Sequence, residues 1–94
     1  MATVIIPTPL RKFTNNTARL TVQAKTISDM IQLLITQFPD LRKHLLDANG
    51  RVPSFINIFV NDDDIRNLQR EQTVVIENAT VSIVPAIAGG APSL

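Results

Sequence analysis

The chain has 94 residues, 45% of them apolar, with nine basic and eight acidic side chains and no cysteine. This length allows a single domain, and the nearly balanced charge argues against a nucleic-acid partner or an anionic membrane surface. Without cysteine there is no disulfide and no thiol chemistry, and the absence of a signal-peptide pattern or a transmembrane run favours a cytoplasmic location.

The amino-terminal part predicts two paired strands. Residues 3–6 are a β-branched run that Pro7 closes, and residues 19–22 alternate polar and apolar side chains. The segment between them, residues 7–16, is rich in Pro, Thr and Asn and is predicted to be a loop. The triplets that begin at Asn15 and Asn78 resemble glycosylation sites, but we interpret both as turns.

A helix is predicted next, because apolar residues recur at spacings of three and four. They are Ile27, Met30, Ile31, Leu34, Ile35 and Phe38. Thr26 is a suitable N-cap, Asp29 suits the positive amino end of a helix, and Pro39 ends the pattern. This single apolar face is expected to cover one side of a sheet.

The second half predicts two further strands, over residues 55–60 and 80–84. In the first of them the aliphatic set is predicted to point inward, whereas Phe55, Asn57 and Phe59 point outward. Residues 40–46 are expected to form a short helix, and residues 47–54, 61–64 and 77–79 are expected to be turns. Residues 65–76 are predicted as a short strand or a single helical turn, and Pro85 is expected to end the last ladder.

The predicted order is strand, strand, helix, strand, strand. This order favours an α+β fold of the ubiquitin-like β-grasp type, a mixed sheet of four to five strands with one main helix packed across it. In that arrangement the first and last strands lie side by side and run parallel. The predicted organisation is a domain over residues 1–85, a Gly-Gly tail over 86–90 and a removable extension over 91–94.

Three stretches of the chain resemble the ubiquitin-like sulfur-carrier family, particularly its cysteine-biosynthesis branch. They are Ile6-Pro7-Thr8-Pro9-Leu10-Arg11, Val60-Asn61-Asp62-Asp63-Asp64-Ile65-Arg66 and Val84-Pro85-Ala86-Ile87-Ala88-Gly89-Gly90. The chain departs from the family pattern at Glu77-Asn78-Ala79, where a Gly-Asp turn is usual, and at the four residues after Gly90. Those four residues resemble the extension of precursor forms.

The resemblance implies a carrier that has no catalytic group and no bound cofactor or metal of its own. After hydrolysis of the Gly90–Ala91 bond by a zinc-dependent peptidase, an adenylating (E1-like) partner would use ATP to activate the Gly90 carboxylate. A sulfur donor would then leave a thiocarboxylate on Gly90, for delivery to a synthase such as a PLP-dependent cysteine synthase. The tail would pass through a narrow channel by way of Gly89, Ala88 and Ile87.

Other functions are also compatible with the sequence. The chain could be the small subunit of molybdopterin synthase, a protein modifier joined to lysines through Gly90, or a β-grasp interaction module with an inert tail. Phe55 and Phe59 are candidates for a partner surface, or are half covered by loops. We interpret Asp62, Asp63 and Asp64 as a solvated turn rather than a metal site, and His44 as a solvated surface residue.

Overall fold

The computed structural model describes residues 1–85, which fold into a five-stranded sheet and two helices. The strands are β1 (Ala2–Ile5), β2 (Arg19–Val22), β3 (Ile56–Val60), β4 (Asp63–Asp64) and β5 (Thr80–Pro85). The helices are α1 (Ile27–Gln37) and α2 (Arg42–Leu45), and four short 3₁₀ turns cover Thr8–Phe13, Pro39–Leu41, Ile65–Asn67 and Arg70–Gln72.

The sheet is mixed, with the strand order β2-β1-β5-β3-β4. β1 and β5 pair in parallel, with Val4 opposite Val81, and all other neighbours are antiparallel. The last strand therefore lies at the centre of the sheet, between the first strand and β3. This is the β-grasp arrangement, so the predicted fold class is confirmed.

One hydrophobic core lies between the sheet and α1. The helix buries four of the predicted side chains, Ile27, Met30, Ile31 and Leu34, whereas Ile35 and Phe38 are half-buried at its margin. The sheet buries alternate residues of each long strand, as a pleated strand with one covered face requires. The inward orientation predicted for Ile56, Ile58 and Val60 is confirmed.

The ends of α1 follow from local chemistry. The Thr26 hydroxyl accepts a hydrogen bond from the backbone N–H of Asp29 at 3.2 Å, which satisfies one of the unpaired donors of the first turn. Phe38 is the C-cap, and Pro39 opens a 3₁₀ turn because proline cannot continue the α-helical bonding. The predicted boundaries of this helix are confirmed.

Two segments differ from the predictions. Residues 8–13 form a 3₁₀ helix rather than an open loop, because Pro9 lies in its first turn and Leu10 inserts into the core. Asp63 and Asp64 form the short strand β4 instead of completing a turn, because the buried Ile65 draws the chain back along β3. Residues 65–76 contain two 3₁₀ turns. Strand β3 begins at Ile56 rather than at Phe55.

The predicted turns contain the expected backbone conformations. Asn15 and Asn78 have φ of 55° and 65°, in the left-handed region that asparagine tolerates better than most residues. Pro85 lies opposite Ile56 as the last residue of β5, where its missing N–H interrupts no further bond among residues 1–85. No helix within residues 1–85 is long and apolar enough to cross a bilayer.

Candidate functional site at the end of the last strand

The candidate site is the end of the sheet at which β5 finishes. Because β1 and β5 are parallel and β3 is antiparallel to both, the chain leaves Pro85 between the carboxyl end of β1 and the amino end of β3. The two neighbours of β5 thus fix the position and direction of that strand as far as Pro85. Residues 86–94 follow this point and lie outside the described residues, including the predicted site residues Ile87, Ala88, Gly89, Gly90 and Ala91.

The segment after β1 forms one border of this end. Arg11 folds back so that its Nε donates to the Ile6 carbonyl at 3.0 Å. The hydroxyl of the fully buried Thr14 lies 2.9 Å from the Thr17 carbonyl and 3.2 Å from the Arg11 carbonyl. The turn is therefore tied to itself through buried polar contacts, and it gives the site a fixed border.

Arg66 fixes the other border, at the start of β3. Its Nη2 donates to the carbonyls of Ser54 at 2.7 Å and Ile56 at 2.9 Å, and its Nη1 donates to the Asn57 amide oxygen. The carboxylate of Asp64 lies 4.0 Å from Nη1. A planar guanidinium with several fixed donors suits this simultaneous contact with neighbouring acceptors.

The stretch from Asn61 to Arg66 is thus a structural motif. Asn61 has φ of 56°, its N–H donates to Thr80 O at 2.7 Å, and its side-chain oxygen accepts from Thr80 N at 3.1 Å. The Asp64 carboxylate caps the next turn by accepting from Arg66 N at 2.8 Å. The Asp64 contacts position Arg66, so this carboxylate serves the backbone of the turn. Within residues 1–85 no group of three or more His, Asp or Glu could hold a metal ion.

The face of the sheet that α1 leaves uncovered carries an apolar patch, which we call the open sheet face: Ile5, Phe59 and Val84. Ile5 and Phe59 both lie opposite Ser82 and are half-buried, and Val84 is 45% exposed. Val84 is also the last residue before Pro85, so the patch reaches the point at which the chain leaves the domain. Apolar surface of this kind is typical of interaction sites.

The structure separates the two predicted partner residues. Phe59 belongs to the open sheet face, whereas Phe55 precedes β3 and lines a groove with Pro39 and Leu46 on the side of α2. Phe55 is 47% exposed. The two phenylalanines therefore belong to different surfaces: Phe55 lies at the end where β5 finishes, and Phe59 lies farther along β3, opposite Ser82 and Asp64.

His44 is not the solvated surface residue predicted from its place in a short polar helix. It is half-buried, its ring stacks on Phe13 with the centroids 4.5 Å apart, and its buried Nε2 has no hydrogen-bond partner among residues 1–85. Burial is the main cause that lowers the pKa of His44, the charges of Lys43 and Lys12 act in the same direction, and Asp40 opposes them. This stack joins the segment after β1 to α2.

Sequence reasoning did not identify Arg66, Ile5 or Val84 as parts of this end. The strict alternation of β5 places Val84 opposite in orientation to the buried Ile83, and this signal could have found it. The contacts of Arg66 with residues 54–57 depend on tertiary structure, and no local pattern indicates them.

Comparison with known proteins agrees with this arrangement. The sequence profile of the ThiS family matches residues 4–90. The chain belongs to the ThiS family. The sulfur carrier protein CysO of Mycobacterium tuberculosis is 33% identical over 90 residues, which are 94% of this chain and 97% of that protein.

Two further similarities extend this result. A putative sulfur carrier protein of Archaeoglobus fulgidus is 42% identical over 67 residues, 69% of this chain and 74% of that protein. The crystal structure of the Amycolatopsis orientalis BexX/CysO complex contains a chain that superposes with a TM-score of 0.88 at 30% identity. The match covers 96% of this chain and all of that one.

Proposed function

We propose that this ThiS-family protein is a sulfur carrier of the CysO type, in a form whose tail continues beyond the reactive glycine. Gly90 would carry the sulfur as a thiocarboxylate, most directly for cysteine biosynthesis. The protein would act as a protein-bound sulfur donor in the cytoplasm, a substrate of partner enzymes rather than an enzyme itself.

The observation that carries the proposal is the short stretch of chain between the end of β5 and the end of the family match. The family match ends at Gly90, the second glycine of the tail. The described part of the chain ends at Pro85, the last residue of β5, which lies at the centre of the sheet between β1 and β3. Gly90 is the fifth residue beyond Pro85. Extended chain covers about 3.3 Å per residue, so Gly90 would reach roughly 17 Å from Pro85.

The tail composition suits entry into a narrow channel. Gly89 and Gly90 lack Cβ atoms, so their backbone can pass where other residues would collide with the channel wall. Ala88 is nearly as slim, and Ile87 would provide one apolar contact near the entrance. Partner enzymes would then bind the folded domain while Gly90 lies in their active site.

The chemistry proceeds in three balanced steps. A zinc-dependent peptidase hydrolyses the Gly90–Ala91 bond and releases the segment that begins with Ala91. The adenylating partner joins the Gly90 carboxylate to the AMP part of ATP, and pyrophosphate leaves. A sulfide-level sulfur nucleophile then attacks the acyl carbon, AMP departs with the bonding electrons, and the thiocarboxylate remains on Gly90.

Partners would bind the open sheet face, which reaches the end of β5 at Val84. Phe59 and Val84 provide the apolar contact there. A sulfur-accepting synthase, such as a PLP-dependent cysteine synthase, would receive the thiocarboxylate end in its active site. The similarity to CysO proteins supports this acceptor over molybdopterin synthase.

The proposal is tested by reconstitution with the adenylating enzyme of the same host, ATP and sulfide, followed by intact-protein mass spectrometry. A chain ending at Gly90 is expected to exchange one oxygen for sulfur, whereas chains ending at Ala91 or Leu94 stay unmodified. A chain ending at Gly90 that remains unmodified, or equal modification of all three chains, would contradict the proposal.

A further inference from the structure

The charges of this nearly neutral domain are unevenly placed. Three exposed cations, Lys12, Arg42 and Lys43, lie around the end from which the tail departs, and we call them the basic end. None of them lies within salt-bridge distance of a carboxylate in residues 1–85. The basic end therefore presents positive charge to the solvent.

The stack of Phe13 on His44 holds the basic end together. Lys12 Nζ lies 5.2 Å from the centre of the Phe13 ring, on the turn after β1. Arg42 and Lys43 belong to α2, which the ring stack fixes against that turn. The cations thus come from two segments some thirty residues apart in sequence, and they surround the carboxyl end of β1.

Two carboxylates lie nearby without neutralising this end. The Asp47 carboxylate accepts hydrogen bonds from the backbone N–H groups of Asn49 at 2.8 Å and Arg51 at 3.0 Å, so it stabilises its own turn. Asp40 lines the same groove as Arg42 and Lys43 but is outside salt-bridge distance of both. The three cations of the basic end outnumber these two carboxylates, so this end stays positive.

The opposite end of the domain is acidic. Asp62 and Asp63 are exposed beside the turn that binds Thr80, where β5 begins. Lys25, in the loop after β2, is also at this end, because β2 finishes beside the start of β1. The domain is therefore an electric dipole whose positive end lies where β5 finishes.

A groove of about 640 Å³ adjoins the basic end. Its apolar lining includes Pro39, Leu46, Pro53 and the exposed Phe55, and Arg42 and Lys43 lie along its rim. Phe55 immediately precedes Ile56, which pairs with Pro85, so the groove opens beside the base of the tail. An apolar groove bordered by cations is complementary to a protein surface that has apolar side chains surrounded by carboxylates.

We propose that the basic end docks on an acidic rim around the channel through which the tail enters the adenylating enzyme. This inference rests on the proposed function and deepens it. The dipole would turn the carrier tail-first during the encounter, which raises the association rate more than it strengthens the final complex. Few cations, interspersed carboxylates and an apolar groove favour a protein partner over nucleic acid.

The test compares two lysine reversals that change net charge equally. Lys43→Glu alters the basic end and Lys25→Glu alters the opposite end, each in a chain that ends at Gly90. At ~20 mM ionic strength, Lys43→Glu is expected to lower kcat/KM for pyrophosphate release about tenfold, against less than about twofold for Lys25→Glu. At ~0.5 M salt the kcat/KM values of the two variants are expected to agree within about twofold, because salt screens the charges that orient the carrier. The kcat at saturating carrier concentration is expected to stay unchanged.

Other results would overturn the inference. Equal losses for both variants, or a loss in Lys43→Glu that persists at high salt, would show that orientation by charge plays no part. Arg42→Glu serves as a second variant, and circular dichroism with urea unfolding verifies that each variant is folded. Binding of single-stranded DNA that Lys43→Glu abolishes while kcat/KM is unchanged would assign the basic end to a polyanion instead.

The same assay separates this inference from the function it rests on. If the unaltered chain ending at Gly90 releases no pyrophosphate at any salt concentration, the proposed function fails and the inference fails with it. If that chain reacts and the two lysine variants react alike, only the inference fails.

Discussion

Replacing Arg66 tests whether the start of β3 is held by a single side chain. Arg66→Ala removes two charge-assisted hydrogen bonds, to the carbonyls of Ser54 and Ile56, together with the contact to Asn57. Fully buried bonds of this type contribute about 1.5–3 kcal/mol each. Because the Arg66 side chain is 36% exposed, we expect about 1 kcal/mol for each carbonyl bond and a total loss of about 2 kcal/mol.

Urea unfolding followed by circular dichroism measures this loss. With an m-value of about 1–2 kcal/mol/M, the midpoint is expected to fall by roughly 1–2 M. Arg66→Lys keeps the charge but lacks the planar fork, so it should lose about half as much. Arg51→Ala is the matched control, because that exposed side chain makes no hydrogen bond within residues 1–85. The reasoning is refuted if Arg66→Ala is no more destabilising than Arg51→Ala.

Three further predictions concern stability. Thr26→Ala removes the cap of α1 and should cost about 1 kcal/mol in urea unfolding, while Thr26→Ser should cost little; equal losses would contradict the capping role. Asn78→Ala should cost about 1 kcal/mol at φ of 65°, whereas Asn78→Gly should stay within about 0.5 kcal/mol, and the reverse order would be incompatible with the turn. His44 has a folded-state pKa below its ordinary value of about 6.5, so the unfolded chain binds the proton more tightly. The free energy of unfolding should be greatest above pH 6.5 and fall as pH drops through 6.5 to the lower folded value; His44→Gln should flatten this dependence, and an unchanged slope would refute it.

The parts of the fold that were predictable have local causes. Helix α1 followed from its apolar spacing and from the residues at its two ends, because capping and proline act within one turn. The alternation of β3 likewise gave the buried and outward sets. The parallel pairing of β1 with β5 followed from element order, and it placed the end of β5 beside the segment after β1.

The parts that were missed depend on contacts distant in sequence. His44 lies in a polar stretch, and only its stack on Phe13, 31 residues earlier, accounts for its burial. Asp63 and Asp64 were predicted to lie in a turn. They form a two-residue strand instead, because they pair with the edge of β3. The role of Arg66 and the groove beside Phe55 emerge only when β3, α2 and the 3₁₀ turns pack together.

The division of the tail at Gly90 stays a prediction, since residues 86–94 lie outside the described residues. The resemblance to the sulfur carriers was itself readable from three short stretches, and family membership is confirmed. The sequence predicts that the chemistry takes place on Gly90, and the structure adds the surfaces around the end of β5.

The most direct test of the central claim is intact-protein mass spectrometry of the chain purified from its native host through an internal or amino-terminal tag. We predict a population that ends at Gly90, part of which has one oxygen replaced by sulfur, with a larger share under sulfur-limited growth. A chain that retains Ala91 to Leu94 and is unmodified under sulfur limitation would contradict the account.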